Sequence, residues 1–373
     1  MEKTTLVKID QLTLNLPYRL VSIQPHIPSK LPLPVQTVDS LLKLSTVFSV
    51  STLANGQNGY TNRFVYGNSA VSVMWNSERK DMGILVAFTA TGKKYYEEIG
   101  KIQEIKIDWQ DIIKKIVKDG GHLTRIDIAV DLINYDFSLT QLTNQLAENK
   151  SYFTNKRNQV IPKNRISIIG KPNRTETIYV GSRTSDAFLR LYNKKIEQSK
   201  NPASIYHAFA KENKSWLRIE AEFKHRLAQE IGRAIASWPD KNNQPKLAAI
   251  IFDRWSLITE KNLAPEWQAL KETTANNEIN LKLPARFDGE LIKKIQWFIN
   301  HGPLNILFLI QNIFGPDALE DFFKYCKTYI EKENAALSDK KIHELNILRE
   351  NCTISDFKNI LTELKNHHSN PLN

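Results

Sequence analysis

Three segments of the chain alternate apolar residues with charged or phenolic ones, and these polar residue types can act on a phosphodiester. The polar positions are Arg125, Asp127 and Asp131 in residues 124–131, Arg190, Tyr192 and Lys194 in residues 188–194, and Arg218, Glu220 and Glu222 in residues 216–223. Because successive side chains of a β-strand point to opposite faces, each segment predicts a strand with one polar face. If the three strands share a sheet with those faces together, four carboxylates, one tyrosine and four cations converge.

Such a convergence would suit phosphoryl transfer. Carboxylates without a His or Cys partner are the ligands that Mg²⁺ or Mn²⁺ prefers. Tyr192, between Arg190 and Lys194, could attack a phosphorus atom while the cations stabilise the developing negative charge. The same alternation is typical of any half-exposed antiparallel strand, so the pattern alone leaves both interpretations open.

The distribution of charge indicates a polyanionic partner. The chain carries a net charge of +11, and residues 150–226 hold 17 Lys and Arg against 6 Asp and Glu, so this stretch has an excess equal to that of the whole protein. A concentration of this kind favours a phosphate-binding surface. The two cysteines have no metal-ligand spacing, and no apolar run is long enough to span a bilayer. We therefore expect a soluble, cytoplasmic protein with no membrane partner.

The elements that must position these residues predict an α+β fold, in which an antiparallel-sheet domain is followed by an all-helical C-terminal domain. Residues 1–35 contain five prolines and predict an irregular N-terminal arm. Residues 36–240 are rich in strand patterns and predict the catalytic domain. Residues 241–284 predict a linker region, and residues 285–373 show helical spacing with cap-like ends.

The same segments resemble the replication initiation factor family, which groups rolling-circle initiators of plasmids and phages with relaxases of conjugative elements. Residues 177–195, TIYVGSRTSDAFLRLYNKK, resemble the family's nucleophile motif. Residues 123–131 and 216–220 resemble its acidic strand and its later Arg-x-Glu strand. Residues 82–92 resemble its M-G segment, with Thr91 in place of the usual Ser. The resemblance extends over about residues 38–235.

The resemblance implies a metal-dependent domain that nicks and rejoins one DNA strand at an origin. Tyr192 would be the nucleophile and would form a 5′-phosphotyrosyl intermediate with a free 3′-hydroxyl. Asp127 and Glu220, followed by Asp131 and Glu222, would bind Mg²⁺ or Mn²⁺. The residues expected to bind DNA phosphates are Arg183, Arg190, Lys194, Lys195 and Arg218. The implied partners are double-stranded origin DNA, the nicked single strand, a helicase and a second copy of the chain.

Two other functions remain open at this point. A relaxase of a conjugative element would use the same chemistry at a transfer origin. A non-catalytic DNA-binding initiator would keep the fold without the reaction. Tyr179 and Tyr206 also lie near the basic stretch, but Tyr179 is expected in the core and Tyr206 in an irregular region.

Overall fold

A computed structural model of the chain describes residues 1–22, 31–171, 174–202, 206–239, 243–275 and 303–335, with residues 204, 241, 277 and 298 in addition. The chain forms two compact units, Met1–Lys282 and Leu283–Asn373. The first unit is built on a large antiparallel sheet with helices, and the described part of the second is helical. The predicted α+β class is confirmed. No helix in these ranges is both long and apolar enough to cross a membrane.

Ten strands form the main sheet of the first unit. Their bounds are β1 (Thr4–Leu16), β2 (Ser51–Asn55), β3 (Asn62–Tyr66), β4 (Val71–Trp75), β5 (Ile84–Phe88), β6 (His122–Ile133), β8 (Ile166–Lys171), β9 (Arg174–Val180), β10 (Ala187–Asn193) and β11 (Trp216–Lys224). They lie in the order β2-β3-β4-β5-β1-β6-β11-β10-β9-β8, and all neighbours are antiparallel. A second sheet has the order β13-β12-β7, formed by β7 (Ser151–Asn155), β12 (Trp255–Thr259) and β13 (Asn262–Leu263).

The helices of the first unit are α1 (Leu33–Leu42), α2 (Leu44–Val47), α3 (Ala90–Ile102), α4 (Trp109–Lys118), α5 (Leu139–Ala147), α6 (Lys194–Ser199), α7 (His207–Glu212), α8 (His225–Ser237), α9 (Gln244–Arg254) and α10 (Pro265–Thr273). Helix α8 packs against β6, whose Ile126, Ile128 and Val130 are fully buried. In the second unit, α11 (Pro303–Phe314) and α12 (Pro316–Ala335) contact each other. The predicted helices beyond residue 335 lie outside the described residues.

The prediction of an irregular N-terminal arm is wrong for residues 4–16, which form β1 in the middle of the main sheet, between β5 and β6. The apolar residues explain this strand. Val7 and Ile9 are buried at odd positions, whereas Leu12, Leu14 and Leu16 are buried at even positions. The change of phase coincides with a β-bulge, a register shift between Ile9 and Gln11 that leaves Asp10 as the extra residue.

The predicted linker at 241–284 is also wrong where the structure describes it. Helix α9, strand β12 and helix α10 lie in this range and belong to the first unit. Leu247, Ile251 and Trp267 are almost completely buried in the main core. The Trp267 indole nitrogen also donates a hydrogen bond of 2.6 Å to the Trp255 carbonyl. The apolar residues of this region therefore pack into the core of the first unit.

Candidate active site

The three segments with alternating polarity form adjacent strands, in the order β6, β11, β10. The register aligns their polar residues on one face of the sheet, which we call the site face. Asp131 is opposite Arg218, which is opposite Tyr192 in turn. One step along, Glu220 is opposite Arg190. The expected convergence of the polar faces is therefore present, because antiparallel pairing brings these alternate positions into register.

The charged side chains on the site face of β6 and β11 are buried or half-buried, and each is paired. Asp131 accepts hydrogen bonds of 2.6 and 2.8 Å from Nε and Nη2 of Arg218, and both side chains are only 1% exposed. Asp127 accepts two from Arg125, at 2.8 and 2.7 Å, and Glu222 accepts another from Arg125 at 2.6 Å. The polar face of an ordinary half-exposed strand is solvated. Here the charges are largely removed from solvent, and such charges are found in proteins only when they are paired.

The Tyr192 hydroxyl lies among these charges. It donates a 2.8 Å hydrogen bond to Oε2 of Glu220, whose other oxygen is bound by Arg190. The Lys194 ammonium lies 3.4 Å from the same hydroxyl. Burial raises the pKa of the Tyr192 phenol well above its ordinary value, and the negative charge of Glu220 adds to this against the opposing charge of Arg218. The resting phenol is therefore protonated, and Glu220 is the carboxylate that contacts its proton.

Strand β1 completes this arrangement with two residues that sequence reasoning missed. The bulge at Asp10 brings its carboxylate within 2.8 Å of Arg218 Nη1, and Lys8 lies 3.7 Å from Asp131. Burial disfavours the charged form of Asp10, but Arg218 and Lys8 outweigh it and hold the pKa of this carboxyl below its ordinary value. The change of phase between Ile9 and Leu12 was the sequence signal that could have revealed the strand.

A cavity of about 520 Å³, the tyrosine cavity, opens on the site face beside Tyr192. Lys8 and Asp10 of β1, Lys94 of α3 and Lys194 at the start of α6 contribute to its walls. Tyr192 thus has its hydroxyl beside a space that a substrate can enter. A nucleophile needs this access, whereas the carboxylates of Asp127 and Asp131 do not line the cavity.

The expected metal ligands do not form a ligand set as placed. Both oxygens of Asp127 accept from Arg125, and both oxygens of Asp131 accept from Arg218. Glu220 is bound by Arg190 and Tyr192, and Glu222 by Arg125 and Lys224. Within the described ranges, no three His, Cys, Asp or Glu side chains are grouped so that they could hold a metal ion. These four carboxylates do not fit a preformed Mg²⁺ or Mn²⁺ site, because arginines, Tyr192 and Lys224 occupy their oxygens.

Comparison with known proteins identifies the segment that carries these strands. Residues 121–282, which include β6, β10 and β11, match the sequence model of the family described as replication initiation factor. The likeness to this family is therefore a likeness of residues 121–282 and covers less than half of the chain. The match begins beyond residues 82–92 and β1, and continues through α9, β12 and α10.

Two further comparisons, one with a curated protein and one with a solved structure, are informative. The chain is 26% identical over 194 residues to "Putative DNA relaxase NicK" of Bacillus subtilis (strain 168), and the match covers 52% of this chain and 51% of that protein. The chain thus spans about half the length of the relative. The structure of a rolling circle replication initiator protein from Geobacillus stearothermophilus has a TM-score of 0.52 at 20% identity, covering 74% of this chain and 99% of the other. That likeness establishes a shared fold.

The expected phosphate-binding residues of the segment have different surroundings. Arg190 and Lys194 line the tyrosine cavity, and Arg218 lies at its base, bound to two carboxylates. Arg183 is exposed and stacks 5.2 Å from the ring centroid of Tyr179. Lys195 donates a 2.7 Å hydrogen bond to the Asn213 carbonyl and is not among the cavity residues. The structure therefore brings three of the five to the tyrosine.

The two other tyrosines considered also lie near this site. Tyr179 is opposite Arg190 in the register and lines the cavity, whereas its neighbours Ile178 and Val180 are buried in the core. The expectation of a core position for Tyr179 is wrong, because the alternation of β9 turns it toward the site face. Tyr206 precedes α7, and its ring lies beneath Lys94, 3.1 Å from the ring centroid. Neither ring has the contact with Glu220 that Tyr192 makes.

Proposed function

We propose that this protein nicks and rejoins one strand of DNA at a replication origin through Tyr192, as an initiator of rolling-circle replication. The observation that carries the proposal is the Tyr192 hydroxyl, which donates to buried Glu220 at 2.8 Å, has Lys194 at 3.4 Å, and faces an open cavity. A nucleophile, a proton acceptor and a cation within reach of one substrate atom are the parts that attack on a phosphodiester requires.

The reaction follows from these contacts. The Tyr192 oxygen attacks the phosphorus atom, and its proton passes to Glu220. The bond from phosphorus to the 3′-oxygen breaks, the 3′-oxygen takes a proton from solvent, and the 5′-phosphate stays on the tyrosine. Arg190 and Lys194 stabilise the charge on the phosphate oxygens during the attack. Rejoining reverses these steps, with the 3′-hydroxyl as nucleophile. The 5′ polarity of the adduct is taken from the family resemblance.

The family resemblance also implies that a divalent cation, Mg²⁺ or Mn²⁺, assists the reaction. We assign no step to it, since arginines, Tyr192 and Lys224 occupy the oxygens of the four candidate carboxylates. Origin DNA, as duplex and as nicked strand, is the proposed substrate. A helicase partner and a homodimer stay predictions.

The covalent adduct is the test. Wild-type protein, Tyr192→Phe and the matched variant Tyr179→Phe would each be incubated with Mn²⁺ and a supercoiled plasmid that carries the inverted repeats flanking the gene. We expect wild type and Tyr179→Phe to give open-circular DNA and a protein–DNA complex that survives denaturing electrophoresis. Tyr192→Phe should give neither, because phenylalanine keeps the ring and lacks the attacking oxygen. An adduct with Tyr192→Phe would contradict the assignment, and no adduct with wild type would leave a non-catalytic binding protein.

A relaxase is the second candidate, favoured by the likeness to the Bacillus subtilis protein. It would use the same tyrosine at the transfer origin of a conjugative element. A plasmid carrying the inverted repeat beside the mobilisation genes, tested in parallel, separates the two candidates. Preferential nicking of that plasmid would favour a relaxase.

A further inference from the structure

The tyrosine cavity has walls that come from two parts of the chain. Tyr192 and Lys194 lie within the replication initiation factor segment. Lys8 of β1 and Lys94 of α3 precede residue 121 and lie outside it. Helix α3 reaches the cavity because it packs against β1. The segment that matches the family therefore supplies only part of the surroundings of its own tyrosine.

Most charged groups around the cavity have a partner of opposite charge, but Lys94 differs. Arg218 and Lys8 face Asp10 and Asp131, so these four charges compensate one another. Lys194 has an ion pair with Glu197. For Lys94, no carboxylate of the described residues lies within ion-pair distance; its ammonium lies over the ring of Tyr206 instead. Burial, with the charges of Lys8, Lys194 and Arg218, lowers the pKa of Lys94 to about 8, although Asp10 opposes this. An anion in the cavity would supply the missing counter-charge.

The ring of Tyr206 positions the two lysines that lie outside the segment. Lys94 lies 3.1 Å and Lys8 5.3 Å from its centroid. The ring is itself held edge-on against Trp216, with centroids 5.7 Å apart. A cation–π contact stabilises an ammonium group without neutralising it. Both lysines thus keep hydrogen-bond donors for a ligand while their side chains are ordered.

We propose that Lys94 and Lys8, together with Lys194, bind a backbone phosphate of the DNA strand that Tyr192 attacks. The ligand class is a phosphodiester, since three ammonium groups that line one cavity with a nucleophilic hydroxyl suit the charge and oxygen atoms of that group. The inference rests on the proposed function for the identity of the strand. The proposed phosphate site is built from β1, α3 and α6. Binding of DNA to it can be measured without cleavage.

The test uses the full chain with Tyr192→Phe as the parent, so that no cleavage occurs. The probe is a mixed-sequence, fluorescently labelled single-stranded oligonucleotide, because backbone contacts do not depend on sequence. We expect Lys94→Gln to weaken binding roughly tenfold, as for loss of a hydrogen bond to a charged group. The slope of log Kd against log salt should fall by about 0.7, the value for one phosphate contact on a single strand. Lys8→Gln should act in the same direction.

Lys101→Gln is the matched control. Lys101 lies on the same helix, is 72% exposed and does not line the cavity, although its partner Glu98 does, so the variant makes the same change in net charge one ion pair away from the cavity. It should bind as the parent does. Lys94→Gln binding with the Kd and salt slope of Lys101→Gln would overturn the proposal.

A pH profile separates direct phosphate binding from a structural role of Lys94. The titratable and charged groups that line the cavity with it are Lys8 and Asp10 of β1, Lys93, Glu97 and Glu98 of its own helix, Glu176 and Tyr179 of β9, Arg190 and Tyr192 of β10, Lys194, Glu197 and Lys200 of α6, Tyr206, and Arg218 of β11. Because the Lys94 pKa is about 8, affinity should fall as pH rises from 7 to 9 and the ammonium loses its proton. Lys94→Arg should keep binding and lose most of this pH dependence, since arginine stays charged. If affinity in Lys94→Arg fell with pH as steeply as in the parent protein, the proposal would be contradicted.

The two proposals can fail separately. If wild type forms no tyrosyl adduct but Lys94→Gln weakens binding, the phosphate site stands and the nicking function falls. If the adduct forms and Lys94→Gln binds as Lys101→Gln does, nicking stands and the phosphate site is refuted. Thermal unfolding of each variant, with Lys94→Arg as the conservative replacement, identifies a variant that has lost its fold.

Discussion

Two groups of charges, one on the site face and one around the tyrosine cavity, differ in how they are neutralised. The buried pairs, in which Asp127 and Glu222 face Arg125 and Asp131 faces Arg218, satisfy one another within the protein. Around the tyrosine cavity, Lys94 has no such carboxylate among the described residues, and Tyr192 shares Glu220 with Arg190. The first group holds adjacent strands in register. The second leaves a positive charge and a hydroxyl for a ligand.

A high density of charge therefore does not by itself mark a functional site. Asp131 and Arg218 are among the most buried charged groups of the described residues, yet they neutralise each other without a substrate. Burial of an ion pair contributes little net stability, whereas removal of one partner is costly. We therefore expect substitutions in the buried pairs to change stability, and substitutions at the cavity to change reaction or binding.

Glu220 lies where the two groups meet, and its replacement should have the largest effect. In Glu220→Gln the side chain keeps its shape but is a poor acceptor for the Tyr192 proton. We expect adduct formation to slow by about 10²–10⁴-fold, the usual contribution of a general base. Single-turnover rates at saturating DNA measure this without a contribution from binding.

Glu222→Gln is the matched variant for that experiment. Glu222 lies two residues further on the same face, but it is bound to Arg125 and Lys224 rather than to the tyrosine. Its adduct formation should stay much closer to the wild-type rate. Equal losses in both variants would argue against a special role for Glu220 and for a joint role, such as binding a metal ion.

Arg218→Met should have the next largest effect, on stability. The change removes the cation that binds both Asp131, which is buried, and Asp10, which is 15% exposed, and leaves Lys8 at 3.7 Å from Asp131 as the remaining ion-pair partner of that carboxylate. We expect the free energy of unfolding to fall by about 3–5 kcal/mol. Denaturant unfolding curves measure it. Arg233→Met, which breaks an exposed pair with Glu230, should cost at most about 1 kcal/mol, and a similar loss in both variants would contradict the contrast.

The parts of this arrangement that local pattern determines could be predicted. The alternation in β6, β10 and β11 predicted the strands and the site face, because one buried apolar face gives a period of two. The groups that bind each carboxylate could not be derived from this alternation. Whether Asp127 faces a metal ion or Arg125 depends on rotamers and on the neighbouring strand, and arginines share the face with the carboxylates.

The contributions of β1 and α3 were missed for different reasons. Strand β1 changes the phase of its alternation at Asp10, and the prolines that follow suggested an arm, so the strand was readable but was overlooked. Lys94 gave no such signal. Its place in the cavity comes from the packing of α3 on β1, across more than eighty residues of sequence, and only tertiary structure provides that.

Asp127 offers the smallest and most specific test of the comparison. Burial, opposed by Arg125 and reinforced by Glu220 and Glu222, raises the pKa of Asp127 to about 6. The folded protein therefore binds this proton more tightly than the unfolded chain, and the stability that it contributes is lost as pH rises from about 4 through 6. Relative to an ordinary aspartate at 3.8, this difference is worth about 3 kcal/mol.

Asp127→Asn should abolish this loss, because asparagine does not titrate. The difference in unfolding free energy between the variant and wild type should change by about 2–3 kcal/mol, in favour of the variant, between pH 4 and pH 7. Denaturant unfolding at several pH values measures that difference and cancels groups common to both proteins. A difference independent of pH would mean that Arg125 keeps Asp127 ionised throughout. The ion pair of Asp127 with Arg125 would then stay fully charged, as we expect for the pair of Asp131 with Arg218. The charges around the tyrosine cavity would be the ones that differ from these buried pairs.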